Sequence, residues 1–293
     1  MPLSPTPLNH LSDDAHLPLA CRCHGGRRGF LRALVAGAAA TGAGAALAQV
    51  DVGGTSRLSK LVPAETLESA ATEQYQELLQ KAKAQGALAG SNNAQLQRLR
   101  GIAQRLIPYA TQWNARAGQW RWEVNLIGSK EINAFCMPGG KIAFYTGILE
   151  KLQLTDDEVA MVMGHEMAHA LREHSREQMA KNSATSIGLS LGAQLLGLGD
   201  LGNLAAKMGT QLLSLRFSRS DESEADLVGL EIAARAGYNP QAATSLWRKM
   251  GEATGDGGIG FLSTHPTGPD RIRELERNIP RVQGLYEVAR QRR

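Results

Sequence analysis

The sequence is poor in the features that would classify it quickly. Cysteine is scarce: Cys21 and Cys23 lie near the N-terminus, and only Cys136 lies in the body of the chain. A disulfide-stapled scaffold is thereby excluded, and 293 residues of ordinary apolar content can build a core without one. Aromatic residues make up only 5%. No Lys/Arg-rich run is interleaved with them, so the chain is expected to bind no nucleic acid. No internal repeat is found. No uncharged apolar run reaches the roughly 20 residues that span a bilayer.

The first 48 residues read differently from the rest. A polar stretch leads into Gly26-Arg27-Arg28-Gly29-Phe30-Leu31-Arg32, after which Ala33 to Ala48 is uncharged, rich in Ala and Gly, and ends in Ala46-Leu47-Ala48. This resembles a twin-arginine export signal with a small-residue cleavage site after Ala48, which predicts a periplasmic destination. The alternative is an uncleaved signal that holds the protein at the membrane. Residues 1–48 carry four Arg and two Asp, so the formal charge of +4 falls to +2 without them. The Cys21-Arg22-Cys23-His24 cluster leaves with the same segment and is not read as a metal site. Four histidines remain: His165, His169, His174 and His265.

Residues 49–60 are small and polar and read as a flexible tether, with a single domain over residues 61–293. Helical periodicity covers Pro63 to Ala84 and Asn93 to Ala115, separated by a Gly/Ser/Asn break. The period then changes to that of strands at Trp120 to Ile127, Ile132 to Met137 and Lys141 to Tyr145. Thr155-Asp156-Asp157-Glu158 is a capping-box pattern, from which a helix should run to about His174. Ser183 to Leu215 is apolar and Gly-rich, and reads as packed or lid-like helices. Further helices are predicted from Arg219 to Ala236, Pro240 to Gly251 and Pro269 to Asn278, with a loop over Gly255 to Gly260. The predicted class is α+β, mostly helical, with a small mixed sheet above one central helix.

That helix carries His165-Glu166-Met167-Ala168-His169. Two imidazoles four residues apart project about 40° from each other and can reach one ion, and the Glu between them suits a general base. Such a match arises by chance in roughly one protein of this size in a hundred, so it needs support. The apolar neighbours Val159, Met161, Val162 and Ala168 supply some, because burying an unsatisfied His pair and a Glu among them would be costly. A catalytic zinc also needs a third protein ligand. On a second helix, Glu222 and Asp226 share a face with the small residues Ala225 and Gly229, while Glu224 points nearly the opposite way. Glu222 is therefore read as the third ligand and Asp226 as the carboxylate that orients a ligand imidazole. Asp221 and Glu224 are explained by the favourable position of acidic residues at a helix start. His174, about 140° round the helix from His169, is excluded as a ligand and read as a helix-end dipole partner.

With these residues the sequence resembles metallopeptidase family 48, which includes CaaX prenyl, HtpX-like and Oma-like proteases. The resemblance runs from about Leu99 to Leu275. It covers H-E-x-x-H at His165 to His169, E-x-x-x-D at Glu222 to Asp226, Asn133-Ala134-Phe135 followed by Pro138-Gly139-Gly140, and His265-Pro266 with Arg271. It implies a zincin-like (gluzincin) fold, one zinc ion per chain held by His165, His169 and Glu222, and Glu166 as the catalytic base. It also implies that the strand at Asn133, Ala134, Phe135 and Cys136 pairs with an extended substrate backbone. His265 and Arg271 match positions that steady the reaction's oxyanion; for His265 the alternative is a cap on the zinc at rest. Many members carry membrane helices or a C-terminal helical repeat. Neither pattern occurs in this sequence, and a soluble, stand-alone peptidase is expected.

The expected activity is zinc-dependent hydrolysis of peptide bonds in unfolded or misassembled envelope proteins. The alternative is a chaperone-like protein that holds zinc but cleaves little. Glu166 argues against it, since a purely structural site needs no base. Cys136 is read as a small strand filler, and Trp113, Trp120 and Trp122 as packing residues.

Overall fold

The computed structural model describes residues 50–182, 212–253, 260–266 and 268–292. The export-signal reading of residues 1–48, most of the predicted lid-like segment and most of the loop before Gly260 lie outside these residues.

Helix α1 (Ala64–Ala84) and helix α2 (Ala94–Leu106) lead into two short 3-10 turns, Ile107–Gln112 and Ala115–Gln119. The single helix expected from Asn93 to Ala115 is thus broken, since Pro108 offers no N–H to continue it. Three strands follow, β1 (Glu123–Ile127), β2 (Ala134–Met137) and β3 (Lys141–Tyr145). They form a mixed sheet with β3 in the centre, parallel to β1 and antiparallel to β2. The tight β2–β3 turn depends on Gly140, whose φ of 77° suits glycine and whose missing Cβ leaves room for the Trp122 ring.

The alternation of side chains divides the core in two. Ile142 and Phe144 of β3, with Ala134 and Cys136 of β2, join one apolar cluster. Ala143 and Met137 point the other way, into a smaller cluster with Tyr75 and Leu79 of α1. After helix α3 (Thr146–Lys151), the first cluster is filled by helix α4 (Asp156–Leu171), which carries the expected capping box. The chain turns at Glu173, in the left-handed region with φ of 62°, and residues 174–182 form a separate helix, α5. The predicted helix end at His174 is therefore corrected: His174 opens the next helix.

Helix α6 (Arg219–Arg235) is the main partner of α4. The two touch through Gly164 and Gly229. A Cβ at Gly164 would lie 2.8 Å from the Gly229 oxygen, and one at Gly229 would lie 2.6 Å from the His165 nitrogen. Helix α7 (Ala242–Glu252), the short helix α8 (Gly260–Thr264) and the long helix α9 (Pro269–Gln291) close the other side. Gly260, expected in a loop, opens α8. Helix α9 runs well past the predicted end at Asn278. Its buried Ile279, Val282 and Leu285 hold it to the core, while Pro280 sits on the solvent side where the lost hydrogen bond faces water.

Residues 50–60 are not a free tether. Val50 is buried and its N–H donates to Glu231 of α6 at 2.5 Å. Arg172 donates to the Gly53 carbonyl, Ser59 donates to Glu173, and Arg176 holds the Val62 carbonyl. Arg172, Glu173 and the buried Glu231 carboxylate tie this segment to the end of α4, to the turn after it and to α6.

Candidate metal centre

The close contact at Gly164 and Gly229 sets α4 and α6 near enough for short side chains to meet. From α4 come His165, Glu166 and His169; from α6 come Glu222 and Asp226. His265 follows α8, and Arg271 lies in the first turns of α9. All seven are between 0% and 8% exposed. His165, His169, Glu222 and His265 each offer a ligand atom within 4.8 Å of the others. His165 Nε2 lies 3.1 Å from His169 Nε2 and 3.3 Å from His265 Nδ1. Glu222 Oε1 lies 2.9 Å from His265 Nδ1 and 3.4 Å from His169 Nε2.

These distances fit a zinc ion. Ligand bonds of about 2.0–2.1 Å in a tetrahedron give edges of about 3.3 Å, and imidazole nitrogen with carboxylate oxygen is a donor set that zinc favours. The residues fit the ion in a second respect. Glu166 Oε1 is buried without a hydrogen-bond partner, an arrangement that native interiors rarely leave without a use.

The charges are arranged around the same centre. Burial pushes the Glu166 carboxyl above its ordinary range, while His265 and His165 pull it part of the way back. Burial would raise Glu222 too, but the His169 and His265 rings that face it outweigh burial and hold the carboxyl well below that range. Burial keeps His169 neutral by pushing its pKa well down. At Asp226, burial is overcome by the Arg271 charge and the His165 hydrogen bond, so it stays ionised. Asp226 Oδ1 is 3.0 Å from His165 Nδ1, the geometry expected of a carboxylate that orients this ring.

Two resemblance-based placements come out differently from each other. His265 is within the ligand cluster, with Nε2 3.7 Å from Glu166 Oε1. Arg271 instead grips Asp226 through Nε at 2.7 Å and Nη2 at 2.8 Å. Its Nη1 donates to the Pro266 carbonyl and makes a charge contact with Glu222 Oε2 at 2.6 Å, and the guanidinium rests on the Trp247 ring. Its Nε, Nη1 and Nη2 are each engaged by the protein, so the guanidinium lies behind the cluster against Asp226. The oxyanion role that the resemblance implies for it would require these contacts to be given up.

Strand β2 forms one edge of the sheet. The far edge of β1 is covered by residues 87–89 through hydrogen bonds of Ala89 to Leu126 and Gly128 to Ala87. Since Tyr145 N–H bonds the Asn133 carbonyl and alternation follows, Ala134 and Cys136 turn their main-chain groups outward. Asn133 donates to Glu131, Phe135 packs edge-on to Tyr75, and burial pushes the Cys136 thiol well up, as an unreactive filler requires.

Residues that sequence reasoning missed surround the cluster. Phe217 stacks on His169 with centroids 3.9 Å apart, and Phe261 stacks on His265 at 4.3 Å. Phe217 stands just before the helix-capping Ser218, a position for an apolar staple, and only this hinted at packing there.

Comparison with known proteins adds an independent line. Residues 93–279, which include every ligand candidate, match the family described as Peptidase family M48. The mitochondrial metalloendopeptidase OMA1 of Schizosaccharomyces pombe is 39% identical over 172 residues, 58% of this chain and 50% of that protein. Its counterpart in Arabidopsis thaliana is 42% identical over 154 residues, 53% of this chain and 31% of that protein. The metalloprotease LoiP of Escherichia coli is 28% identical over 155 residues, 50% of this chain and 58% of that protein. The chain thus matches between about a third and just over half of the length of these relatives.

Proposed function

The chain belongs to Peptidase family M48, and from that premise we propose that it is a zinc metalloendopeptidase acting on unfolded or misassembled proteins of the bacterial envelope. The observation that carries the reading is the convergence of His165 Nε2, His169 Nε2 and Glu222 Oε1 beside a buried, unpartnered Glu166 oxygen. His165, His169 and Glu222 would hold the ion. Bound zinc supplies Lewis acidity, polarising a carbonyl and lowering the pKa of water to about 7.

The chain's own residues do the rest. Glu166, its carboxyl raised by burial, takes the proton of the attacking water and passes it to the leaving amine. Asp226, gripped by Arg271, holds His165 in the Nδ1–H tautomer so that Nε2 remains free to ligate. The outward main-chain groups of Ala134 and Cys136 align an extended peptide by strand addition, with Asn133 and Phe135 flanking it. His265 caps the centre at rest and must move aside for substrate, a reading favoured by its place within the ligand cluster. On this reading His265→Ala raises peptidase activity; a fall would return His265 to an oxyanion role.

Location and partners belong to the same proposal. The twin-arginine-like segment supports export to the periplasm, and N-terminal sequencing of exported material checks it: a start at Gln49 means cleavage, a longer chain means an anchored protein with peripheral membrane association. Among the described residues no helix is long and apolar enough to cross a membrane.

The decisive test is casein degradation by the zinc-loaded protein beside a Glu166→Gln variant of equal zinc content. Activity in the first and its loss in the second is the expected result. Equal activity in both would sink Glu166 as base, and none in either, even with His265→Ala, would turn the assignment toward a zinc-holding chaperone.

A further inference from the structure

The two imidazoles of α4 are supported unequally. His165 donates from Nδ1 to Asp226 directly. His169 has no carboxylate at its Nδ1; the atom 3.0 Å away is Nδ1 of His174, a side chain 1% exposed. Beyond it, His174 Nε2 faces Glu224 Oε2 in a charge contact at 3.6 Å, longer than a hydrogen bond, and Arg172 pairs with Glu224. Two ring nitrogens at hydrogen-bond distance that share no metal ion must consist of one donor and one acceptor. With Nε2 of His169 turned toward the ligand cluster, its proton belongs on Nδ1. His174 then accepts at Nδ1 and carries its own proton on Nε2, aimed at Glu224.

We propose that Glu224 and His174 form a relay that fixes the tautomer and ring plane of His169, doing through an imidazole what Asp226 does for His165 directly. Both are positioning residues. The relay rests on the zinc reading above. It exists because the chain leaves α4 at Glu173: a continuous helix would turn His174 about 140° away from His169. The left-handed turn brings the ring back, and Phe217 covers the His169 ring and lies against His174. The two arms are alike in charge, since Arg172 balances Glu224 as Arg271 balances Asp226. They also explain why α6 carries acidic residues on two faces, at Glu224 as well as at Glu222 and Asp226.

The test uses the exported chain, with zinc affinity measured by competition with a chromophoric chelator and ring tautomers read from 15N-histidine NMR of the zinc-loaded wild type. The spectrum should show His174 with Nε2 protonated and Nδ1 bare, and His169 with Nδ1 protonated. His174→Leu should weaken zinc binding roughly 10- to 100-fold. His174→Gln, whose amide oxygen can accept from His169, should recover most of that loss, and Glu224→Gln should weaken binding by a smaller factor. A His174 protonated at Nδ1, or wild-type affinity in His174→Leu, overturns the relay. If His174→Leu does not fold, the wild-type spectrum and Glu224→Gln still decide. Zinc that leaves the His165 and His169 Nε2 signals unmoved overturns the zinc reading itself, whereas zinc that moves them while His174→Leu binds normally overturns the relay alone.

Discussion

Two buried polar clusters lie on opposite sides of the small sheet, and they differ in how completely they are satisfied. On the α1 side, Tyr75 donates to the Ile142 carbonyl at 2.5 Å and accepts from Asn125 at 3.1 Å. Asn125 also donates to Glu123, and Lys141 donates to the Arg121 carbonyl at 2.5 Å. On the α4 side, the imidazoles of His165, His169, His174 and His265 crowd together with Glu166 and Glu222, and Glu166 Oε1 and His174 Nε2 lack hydrogen-bond partners. A satisfied buried network holds a structure in register, while an incompletely satisfied one is costly to keep unless something else occupies it. The first cluster is thus a structural one, and the second keeps unpartnered buried polar atoms beside the candidate metal centre.

Substitutions in the two clusters should therefore separate activity from stability. The largest effect is on rate. Glu166→Gln should lower casein-degrading activity by about 10²- to 10⁴-fold. The same variant should leave the metal-free protein no less stable at neutral pH. Glu166 has a folded pKa raised above its unfolded value, so its stabilising contribution is present below the ordinary carboxylate pKa and lost as pH rises through the folded value. Thermal unfolding of both metal-free proteins at pH 7 checks this, and a clear loss in the variant would erase the contrast.

Metal retention comes next. Glu222→Ala should lower zinc affinity by at least about 10-fold, and stripping zinc from the wild type should lower its unfolding temperature, because binding favours the folded state. Chelator titration followed by calorimetry measures both. An unchanged unfolding temperature would separate the cluster from metal binding.

Helix contact gives a smaller effect. Gly229→Ala would place a Cβ 2.6 Å from the His165 nitrogen, which overpacking norms put at about 1–3 kcal/mol of stability. It should also weaken zinc binding, since α6 must back away from α4. Denaturant unfolding beside a zinc titration tests whether the two losses travel together.

The smallest effect should come from the satisfied cluster. Tyr75→Phe removes a hydrogen bond for about 1 kcal/mol, with casein degradation unchanged. Burial holds the Tyr75 phenol protonated in the folded state beyond the pH at which an unfolded tyrosine ionises, about 10. Its contribution is therefore intact below that pH and falls as pH rises above it, so the variant should show a shallower alkaline loss of stability, with that of Tyr145 remaining. A steep loss of peptidase activity in Tyr75→Phe would show that the two sides of the sheet are coupled.

Legibility followed range. The capping box at Thr155 and Glu158, the strand Lys141–Tyr145 and the helix of Glu222 and Asp226 stand where the sequence placed them, because each is written in contiguous residues with a period of its own. The segment 50–60 was misread because its polar composition says nothing of Arg172, Glu173 and Glu231, which lie more than a hundred residues away and hold it. The break at Glu173 was missed for a different reason. No glycine or proline marks it, and the turn is held by contacts of Glu173 with Ser59 and Arg176.

The sequence by itself placed the two helices that carry His165, Glu166, His169, Glu222 and Asp226, because a four-residue spacing on a helix fixes which side chains share a face. Tertiary structure alone decided what stands behind Asp226 and His169. Whether Arg271 meets an oxyanion or Asp226, and whether His174 faces solvent or His169, depends on the packing of segments distant in the chain. That packing is set by the Gly164–Gly229 contact and the turn at Glu173, and neither leaves a periodic signal in the residues around it.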